Sequence, residues 1–507
     1  MSRICVPVCV GSIEQLRHAI ERAAEVADII ELRLDYLEHH ETVSPALSQV
    51  RNVGRPLILT LRSVEQGGHS AVDYKTRRRF WSLLTAPSSD SLFDLEHDLV
   101  LDFSAADQSD GLQADWKQIL CSHHDFRGVP KDLTEIYEAM AATPAGIIKI
   151  AVQANDATDC LPIFALIDRA RREERQLIAI AMGPAGIMTR VLGPSRGSFL
   201  TYGSLDDESA TAPGQLTARQ LRGVYHIDRI RAETEVLGIV GSPVSQSWSP
   251  DMHNAAFVAS GLDAVYLPFE TRDVSQFIRR MAHPKTREID WKLRGLSVTI
   301  PHKSAVMPWL DHSDPIAAEI GAVNTIVVTD DRLLGYNTDA EGFIAPLLRR
   351  LGPIRNARCA VIGAGGAARA VVWALNREGA IVELFARQPE TSTITAGSLG
   401  VACHQLSGAG FAGFDIVVNS TPLGMSGVNQ DLTPATAAQL QGVRLAYDLV
   451  YNPIDTLFLR EARAAGCDTL AGLEMLLAQG VEQFRLWTGK EPDTEVMRAA
   501  ALSRLAR

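Results

Sequence analysis

One ten-residue stretch decides the fold of the second half of this 507-residue chain. It reads Cys359-Ala360-Val361-Ile362-Gly363-Ala364-Gly365-Gly366-Ala367-Ala368. An apolar strand pattern runs into three glycines, and a helical pattern follows over 367–376. This is the G-x-G-x-x-A spacing, placed between a strand and a helix. Glycines here let the backbone approach a pyrophosphate at the helix N-terminus, so the stretch predicts a dinucleotide-binding Rossmann fold.

The next predicted strand, 381–385, ends where such folds read the ribose of the dinucleotide. It is followed by Ala386 and Arg387, with no acidic residue. An arginine at this point suits a 2′-phosphate, which favours NADP over NAD. The alternative explanation is an exposed arginine that follows a strand and binds nothing.

The first half of the chain shows a regular alternation of strand and helix patterns. Helical patterns lie at 13–26, 74–84, 133–142 and 161–175. The short apolar runs lie at 4–10, 29–34, 57–61, 92–95, 118–122, 146–151, 177–182 and 198–202. Such an alternation indicates parallel β/α units, and eight strands in this length predict a (β/α)₈ TIM barrel.

Charged residues recur within or at the ends of these predicted strands. Those residues are Glu31, Arg33, Asp35, Arg62, Asp94, Glu96, His123, His124 and Lys149. In a barrel, strand ends converge at the mouth where active sites form. Taken singly, they could be structural ion pairs or core histidines. Burial disfavours the charged form of an amine, and a neutral amine attacks carbonyls to give a Schiff base, which makes Lys149 a candidate nucleophile.

Composition narrows the class of protein. The net charge is −11, so a nucleic-acid partner is not expected. No apolar run is long enough to span a membrane, and no targeting segment precedes the first predicted strand. Seven scattered cysteines form no C-x-x-C pair, so we expect no metal site and a reducing, cytoplasmic setting. The sequence does not specify an oligomeric state.

Motifs of the first half resemble those of type I 3-dehydroquinate dehydratases. The matching stretches are Glu31-Leu32-Arg33-Leu34-Asp35, Thr60-Leu61-Arg62, Ser122-His123-His124-Asp125-Phe126, Ile148-Lys149-Ile150-Ala151, Met182-Gly183 with Arg190, and Ala212-Pro213-Gly214-Gln215. The resemblance implies a barrel that converts 3-dehydroquinate to 3-dehydroshikimate through an imine. It implies that Lys149 forms the Schiff base, His124 transfers protons and Arg190 holds the substrate carboxylate. The other pocket residues that it implies are Glu31, Arg33, Arg62, Met182, Tyr202 and Gln215.

One position departs from that family. Its members usually carry Glu-Gly-Gly four residues after the arginine matched by Arg62, and the glutamate contacts the catalytic histidine. Here Gln66 takes the place of that glutamate, with Glu65 beside it. A neutral partner stabilises an imidazolium less, so we expect the pKa of His124 to be lower and the acid limb of the activity to be altered.

Motifs of the second half resemble those of shikimate dehydrogenases. The matching stretches are Ser247-Trp248-Ser249-Pro250, Ser297-Val298-Thr299-Ile300-Pro301-His302-Lys303, Gly321-Ala322-Val323-Asn324-Thr325, Asn337-Thr338-Asp339, Asn419-Ser420-Thr421-Pro422-Leu423-Gly424-Met425, Asp448-Leu449-Val450-Tyr451-Asn452-Pro453, and Gly472 through Met475 and Leu476 to Gln479. The resemblance implies a catalytic pair, Lys303 and Asp339, that supports reduction of 3-dehydroshikimate with NADPH. It implies substrate contacts by Ser247, Ser249, Thr299, Asn324, Tyr451 and Gln479. The implied cofactor residues are Gly363, Ala364, Gly365, Gly366, Ala367, Arg387, Ser420, Thr421 and Pro422.

Other departures concern the ligands of the second half. The family's Asn-Arg-Thr/Ser after the ribose-reading strand is replaced by Ala386-Arg387-Gln388, so we expect the NADP preference to rest on the arginine alone and to be softened. Gln246 stands where the family often has histidine. Related quinate dehydrogenases tend to carry smaller residues in place of Ser249 and Thr299, so shikimate is the expected product.

The chain is thus predicted to be α/β throughout, with two enzymes in series. We expect a dehydratase barrel at 1–222, a linker at 223–235, a substrate-binding domain at 236–342, a Rossmann domain at 343–490 and a C-terminal helix and tail at 491–507. The expected function is consecutive dehydration and NADPH-linked reduction in the shikimate pathway. The alternative is a quinate/shikimate dehydrogenase whose barrel is inactive and serves as a binding or scaffold domain.

Overall fold

A computed structural model describes residues 2–37, 54–69, 71–84, 88–106 and 111–506. The first half of the chain alternates strands with helices. The strands are β1 Ile4–Val8, β2 Ile29–Arg33, β3 Leu57–Thr60, β4 Leu92–Glu96, β5 Ile119–Asp125, β6 Ile147–Gln153, β7 Gln176–Met182 and β8 Thr201–Tyr202. The helices are α1 Ile13–Ala24, α2 Tyr74–Leu83, α3 His97–Ala105, α4 Leu133–Ala141, α5 Leu161–Arg172 and α6 Ile187–Arg196.

These eight strands form one parallel sheet with the order β7-β6-β5-β4-β3-β2-β1-β8. The sheet curls until its two ends meet, where the amide of Phe199, just before β8, donates to the carbonyl of Leu177 on β7 at 2.7 Å. Apolar side chains such as Ile30, Leu59 and Ile148 are fully buried between strands and helices. The predicted TIM barrel is therefore confirmed.

The segment after the barrel is less helical than its sequence indicates. A helical pattern covers 216–231, but the structure has only α7, Ala218–Gly223, and a short 3₁₀ turn, Ile227–Arg229. Thr217 caps α7, and His226 adopts a left-handed conformation with φ of 49°, which stops the helix. Ile227, which lies within the predicted linker, is fully buried in the same apolar cluster as the barrel residues.

The second half opens with a mixed six-stranded sheet in the order β10-β9-β11-β13-β14-β12. Its strands are β9 Glu235–Gly241, β10 Ala264–Glu270, β11 Leu293–Val298, β12 His312–Ser313, β13 Thr325–Val328 and β14 Leu333–Tyr336. Its helices are α8 Ser249–Ala259, α9 Val274–Phe277, followed by a π-helical turn Ile278–Ala282, and α10 Pro315–Ile320. Helix α11, Asp339–Leu351, leads from this domain into the next.

A second six-stranded sheet is parallel throughout and has the order β17-β16-β15-β18-β19-β20. Its strands are β15 Arg358–Ile362, β16 Ile381–Ala386, β17 Ala402–Gln405, β18 Ile416–Asn419, β19 Leu445–Asp448 and β20 Asp468–Leu470. The helices are α12 Gly366–Arg377, α13 Pro389–Leu399, α14 Leu457–Ala464, α15 Gly472–Thr488 and α16 Thr494–Ser503. This strand order is the doubly wound Rossmann order, so the fold predicted from the glycine stretch is confirmed.

The barrel contacts the first of these two domains directly. Asp156, just after β6, accepts from the Thr271 hydroxyl at 2.8 Å and from the Arg272 amide at 3.0 Å. Arg196 at the end of α6 donates to the carbonyl of Asp290 at 2.7 Å. Across the described ranges, no helix combines the length and apolar character that crossing a bilayer requires.

Candidate active sites

A pocket lies at the barrel mouth, and all nine residues predicted for the dehydratase site line it. They are Glu31, Arg33, Arg62, His124, Lys149, Met182, Arg190, Tyr202 and Gln215. They come from different strands and loops, because parallel strands in a barrel end at the same rim. The pocket wall also includes Gln66, Phe126 and Thr211. Phe126 directly follows the His124-Asp125 motif, so its position could have been inferred from the neighbouring histidine.

Lys149 is buried and lies between two carboxylates. Its Nζ atom is 2.8 Å from Oδ2 of Asp94 and 3.2 Å from Oε1 of Glu31. It also lies 4.4 Å from the centre of the Tyr202 ring, a cation–π contact. The sequence identifies Lys149 as a candidate through its expected burial and through the family resemblance, but it does not predict these ion pairs. An attacking amine must first lose its proton, and Glu31 is an acceptor within hydrogen-bonding distance.

Asp94 is the centre of this charge cluster. Its Oδ2 atom also accepts from Arg62 at 2.7 Å, and Arg62 donates to the Ser122 hydroxyl at 2.5 Å. Burial would raise the pKa of Asp94, but the positive charges of Arg62 and Lys149 outweigh it and hold that pKa well below the ordinary value. Asp94 therefore stays ionised beside the lysine. Glu31 likewise accepts from the Thr60 hydroxyl, at 2.8 Å.

His124 is held as a neutral base. Burial, reinforced by the charges of Arg62 and Lys149, lowers its pKa well below 6.5. The side chain of Gln66 accepts from the backbone amide of His124 at 3.1 Å, so it contacts the main chain of the histidine. Within the part of the chain that the structure describes, the buried Nδ1 atom of His124 has no hydrogen-bond partner. Glu65 is exposed and does not line the pocket.

Arg190 faces the same pocket from α6 and is 1% exposed. It donates to the backbone carbonyl of Tyr202 at 3.4 Å, and no described carboxylate pairs with it. Burial lowers the pKa of its guanidinium to about 10. A buried guanidinium without a counter-ion is costly, so this position is suited to an incoming anion.

Arg33 is less available to a substrate than expected from its sequence position, because its side chain already has partners within the protein. It forms a bidentate pair with Asp35, at 2.9 and 2.8 Å, and reaches the carbonyl of Gly67 at 3.3 Å. Asp35 in turn accepts from the His69 amide at 2.9 Å. Arg33 thus ties the loop that carries Gln66 to the barrel rim while still lining the pocket.

The second site lies in the cleft between the mixed sheet and the Rossmann domain. Its wall contains every residue predicted to contact the second substrate: Ser247, Ser249, Thr299, Lys303, Asn324, Asp339, Tyr451 and Gln479. Lys303 Nζ is 2.5 Å from Oδ2 of Asp339, and Asn324 donates to the other oxygen of Asp339 at 2.8 Å. Asp339 begins α11, where the helix dipole also favours a negative charge.

Two residues of this wall, Ser297 and Gln483, were not predicted. Ser297 donates to Gln483 Oε1 at 2.8 Å and accepts from the Tyr266 hydroxyl at 2.5 Å. Gln483 donates to the carbonyl of Asn324 at 3.3 Å. The spacing of Gln479 and Gln483 on α15 places both on one helix face, and this i, i+4 relation could have revealed Gln483.

The glycine stretch has the form that a bound pyrophosphate requires. Gly363 has φ of 116°, and a Cβ there would lie 2.6 Å from Ser420 Oγ. Gly365 faces open space, since a Cβ there would meet nothing within 4 Å. Ala364 lies between these two glycines, and Ala367, on the first turn of α12, lines the substrate cleft. The N-terminus of α12 is therefore open to an anion next to the substrate.

The other predicted cofactor residues surround this opening. Arg387 is exposed just after β16. Ser420 donates to the carbonyl of Ile362 at 2.7 Å, and Thr421 donates to Asn419 at 2.7 Å. These two hydroxyls thus order the turn that leads to Pro422. Gly366 packs on Lys303, because a Cβ there would lie 3.0 Å from Lys303 Cβ.

This geometry defines a chain with two α/β catalytic units, each built around a lysine that contacts a carboxylate. Family models support the same division. A type I 3-dehydroquinase model matches residues 4–232, a shikimate dehydrogenase substrate binding domain model matches 239–326, and a shikimate 5′-dehydrogenase C-terminal domain model matches 472–502.

Individual relatives agree. The bifunctional 3-dehydroquinate dehydratase/shikimate dehydrogenase of Arabidopsis thaliana, described as chloroplastic, is 33% identical over 509 residues, which cover 96% of this chain and 82% of that protein. The NADP⁺ shikimate dehydrogenase of Moorella thermoacetica is 42% identical over 280 residues, covering 53% of this chain and 93% of that protein. A crystal structure of a shikimate dehydrogenase in complex with NADP⁺ matches with a TM-score of 0.51 and 36% identity, covering 55% of this chain and 98% of that one. The chain belongs to the family of bifunctional 3-dehydroquinate dehydratase/shikimate dehydrogenases.

Proposed function

We propose that the barrel dehydrates 3-dehydroquinate to 3-dehydroshikimate and that the second half reduces this product to shikimate with NADPH. One observation carries the first activity: Lys149 and His124 share a pocket with Arg190, a buried cation without a described carboxylate partner. A substrate that is both a ketone and a carboxylate matches these three groups. The same observation argues against a barrel that serves only as a scaffold.

In the dehydratase site, the Lys149 amine passes its proton to Glu31, which contacts its Nζ atom, and attacks the substrate ketone. A C–N bond forms, and the carbonyl oxygen leaves as water, giving an imine. Neutral His124 removes a proton from the carbon beside the imine and returns it to the departing hydroxyl, which leaves as a second water. Hydrolysis of the imine consumes one water and frees Lys149, so the net change is the loss of one water.

Arg190 holds the substrate carboxylate in this scheme, and Arg62, Gln215 and Arg33 orient the ring hydroxyls. Tyr202 and Met182 form the apolar walls. Glu31 and Asp94 keep the lysine aligned, since both contact Nζ.

The second site is suited to proton donation during carbonyl reduction. Residues 363–367 and 420–422 would hold the phosphates of NADPH and Arg387 would bind the 2′-phosphate, and the bound cofactor would supply the hydride. Lys303 donates a proton to the ketone oxygen, and Asp339 orients it through their 2.5 Å contact. Ser247 and Ser249 act as carboxylate ligands, with Tyr451 beside them. Thr299, Asn324 and Gln479 hold the ring hydroxyls.

Paired lysine variants test the proposal. Borohydride added with 3-dehydroquinate should fix one adduct on Lys149, and Lys149→Ala should remove it and the dehydratase activity. Lys303→Ala should abolish NADPH-linked reduction of 3-dehydroshikimate while the adduct forms normally. Lys117→Ala, an exposed lysine outside both sites, serves as the control. Loss of both reactions from one substitution in folded protein would contradict two independent sites.

A further inference from the structure

The last helix of the chain returns to the substrate-binding domain. Helix α16 follows the Rossmann domain in sequence, yet its Met497 and Ala501 are buried in one apolar cluster with Met252 and Phe257 of α8. Helix α8 begins at Ser249, one of the proposed carboxylate ligands. The end of α16 is therefore brought beside the loop that precedes α8.

Arg504, the residue after α16, binds that loop at two points and the first turn of α8 at a third. Its Nη1 atom donates to the carbonyl of Ser247 at 2.6 Å and to Oδ2 of Asp251 at 3.1 Å, and its Nη2 atom donates to the carbonyl of Ser245 at 2.9 Å. Asp251 is buried. A guanidinium is planar with donors in a fixed fork, so three acceptors on one guanidinium fix the loop relative to the helix.

The atoms fixed in this way include a proposed substrate ligand. Ser247 lines the substrate cleft, and its hydroxyl accepts from the amide of Ser249 at 3.2 Å. Tyr451 lines the same wall. Burial raises the pKa of its hydroxyl, while a hydrogen bond with Ser247 and the positive charge of Arg504 act to lower that pKa. The positive charge of Arg504 thus acts on Tyr451 in the pocket wall. Its three hydrogen bonds go to the loop and to the start of α8.

We propose that Arg504 is a positioning residue for the dehydrogenase: it holds Ser247 and Ser249 in the arrangement that receives the substrate carboxylate. This inference rests on the proposed function. It assigns a role in substrate affinity to the end of the chain, which lies outside the segments that carry the dehydrogenase motifs. Arg504 acts through the serines and does not itself contact substrate.

Three variants test this role in the full chain. Arg504→Ala should raise KM for shikimate about tenfold while kcat changes within about twofold, because the loop is displaced but Lys303 and Asp339 are untouched. KM for NADP⁺ and the dehydratase kcat/KM should stay at parent values. Arg504→Lys should be intermediate, since one ammonium cannot span all three acceptors.

Arg498→Ala is the matched control. Arg498 also lies on α16 and forms a bidentate pair with Glu474, at 2.7 and 2.9 Å, so its removal weakens docking of the helix without touching the loop. A substrate analogue in which an alcohol replaces the carboxylate adds a second readout, because the KM of Arg504→Ala and the parent should converge for it.

Three outcomes would overturn the proposal: an unchanged KM in Arg504→Ala, an equal rise in Arg498→Ala, or an equal rise for the analogue without a carboxylate. Thermal melting and the retained dehydratase activity identify a variant that has failed to fold, in which case Arg504→Lys decides. Absence of shikimate oxidation by the parent chain would instead contradict the proposed function.

Discussion

Asp94 and Lys149 form a buried ion pair inside the barrel, with 2.8 Å between Oδ2 and Nζ. Both side chains are almost inaccessible to solvent. The pair holds in place the lysine that is proposed to form the imine. It also explains how a barrel can bury a lysine, because the cost of removing the ammonium from water is offset by direct contacts with carboxylates.

Asp94→Asn should lower the dehydratase kcat by about 100-fold, since the amide keeps the shape of the carboxylate but loses the ion pairs that hold Lys149 and Arg62 in place. The rate at which the borohydride-trapped adduct forms in a single turnover reports directly on the attack by Lys149. Asp98→Asn, on the exposed side of α3, is the control and should match the parent. An Asp94→Asn enzyme that forms the adduct at the parent rate would show that Asp94 does not position Lys149.

The pH profile of the dehydratase should reflect the low pKa of His124. Its active form as a base is the neutral imidazole, so activity should fall only as the pH drops through a pKa that lies below 6.5. Gln66→Glu adds a negative charge that stabilises the imidazolium, which raises this pKa and moves the acid limb of kcat/KM to higher pH. Glu65→Gln changes the exposed residue next to Gln66 and should leave the acid limb of kcat/KM at the parent pH. Superimposed profiles for Gln66→Glu and the parent would contradict this account.

Arg387 should determine the choice of dinucleotide. Arg387→Ala removes the proposed partner of the 2′-phosphate, so KM for NADPH should rise about tenfold while KM for NADH stays constant. Arg377→Ala, at the opposite end of α12 from the glycine stretch, controls for the loss of a positive charge. Equal changes in KM for NADPH and NADH would mean that Arg387 does not bind the 2′-phosphate.

Gly342 allows α11 and α15 to approach closely beside the second site. A Cβ at this position would lie 2.6 Å from Gln479 Cβ and 2.8 Å from the backbone nitrogen of Gln479. Gly342→Ala should therefore destabilise the protein by about 1–3 kcal/mol, despite the better helix propensity of alanine, and raise KM for shikimate by shifting Gln479.

Gly397→Ala is the matched control for this substitution. Gly397 lies inside α13, where an added Cβ meets nothing within 4 Å, so alanine should stabilise or leave the melting temperature unchanged. Thermal melting and the KM for shikimate check both variants. A Gly342→Ala protein as stable as the Gly397→Ala protein would show that the two helices can move apart at little cost.

Local sequence patterns predicted the strands and helices well where the apolar positions of the pattern are buried in the structure. The alternation of strands and helices indicated the barrel, and the glycine stretch indicated the Rossmann domain, because hydrophobic periodicity and glycine spacing are local properties. The helical pattern over 216–231 was misleading, since the conformation of His226 ends the helix early. Its neighbours Tyr225 and Ile227 are buried in the barrel's apolar core, a tertiary contact that overrides propensity.

By itself, the sequence determined that Glu31, Arg62, His124 and Lys149 gather at the barrel mouth, because the ends of parallel strands converge at one rim. Only the tertiary structure decided what those residues contact. Lys149 meets Asp94 across 55 positions, Gln66 meets the main chain of His124 across 58, and Arg504 meets Ser247 across 257. Such pairings depend on how whole strands and helices pack, and no spacing along the chain encodes them.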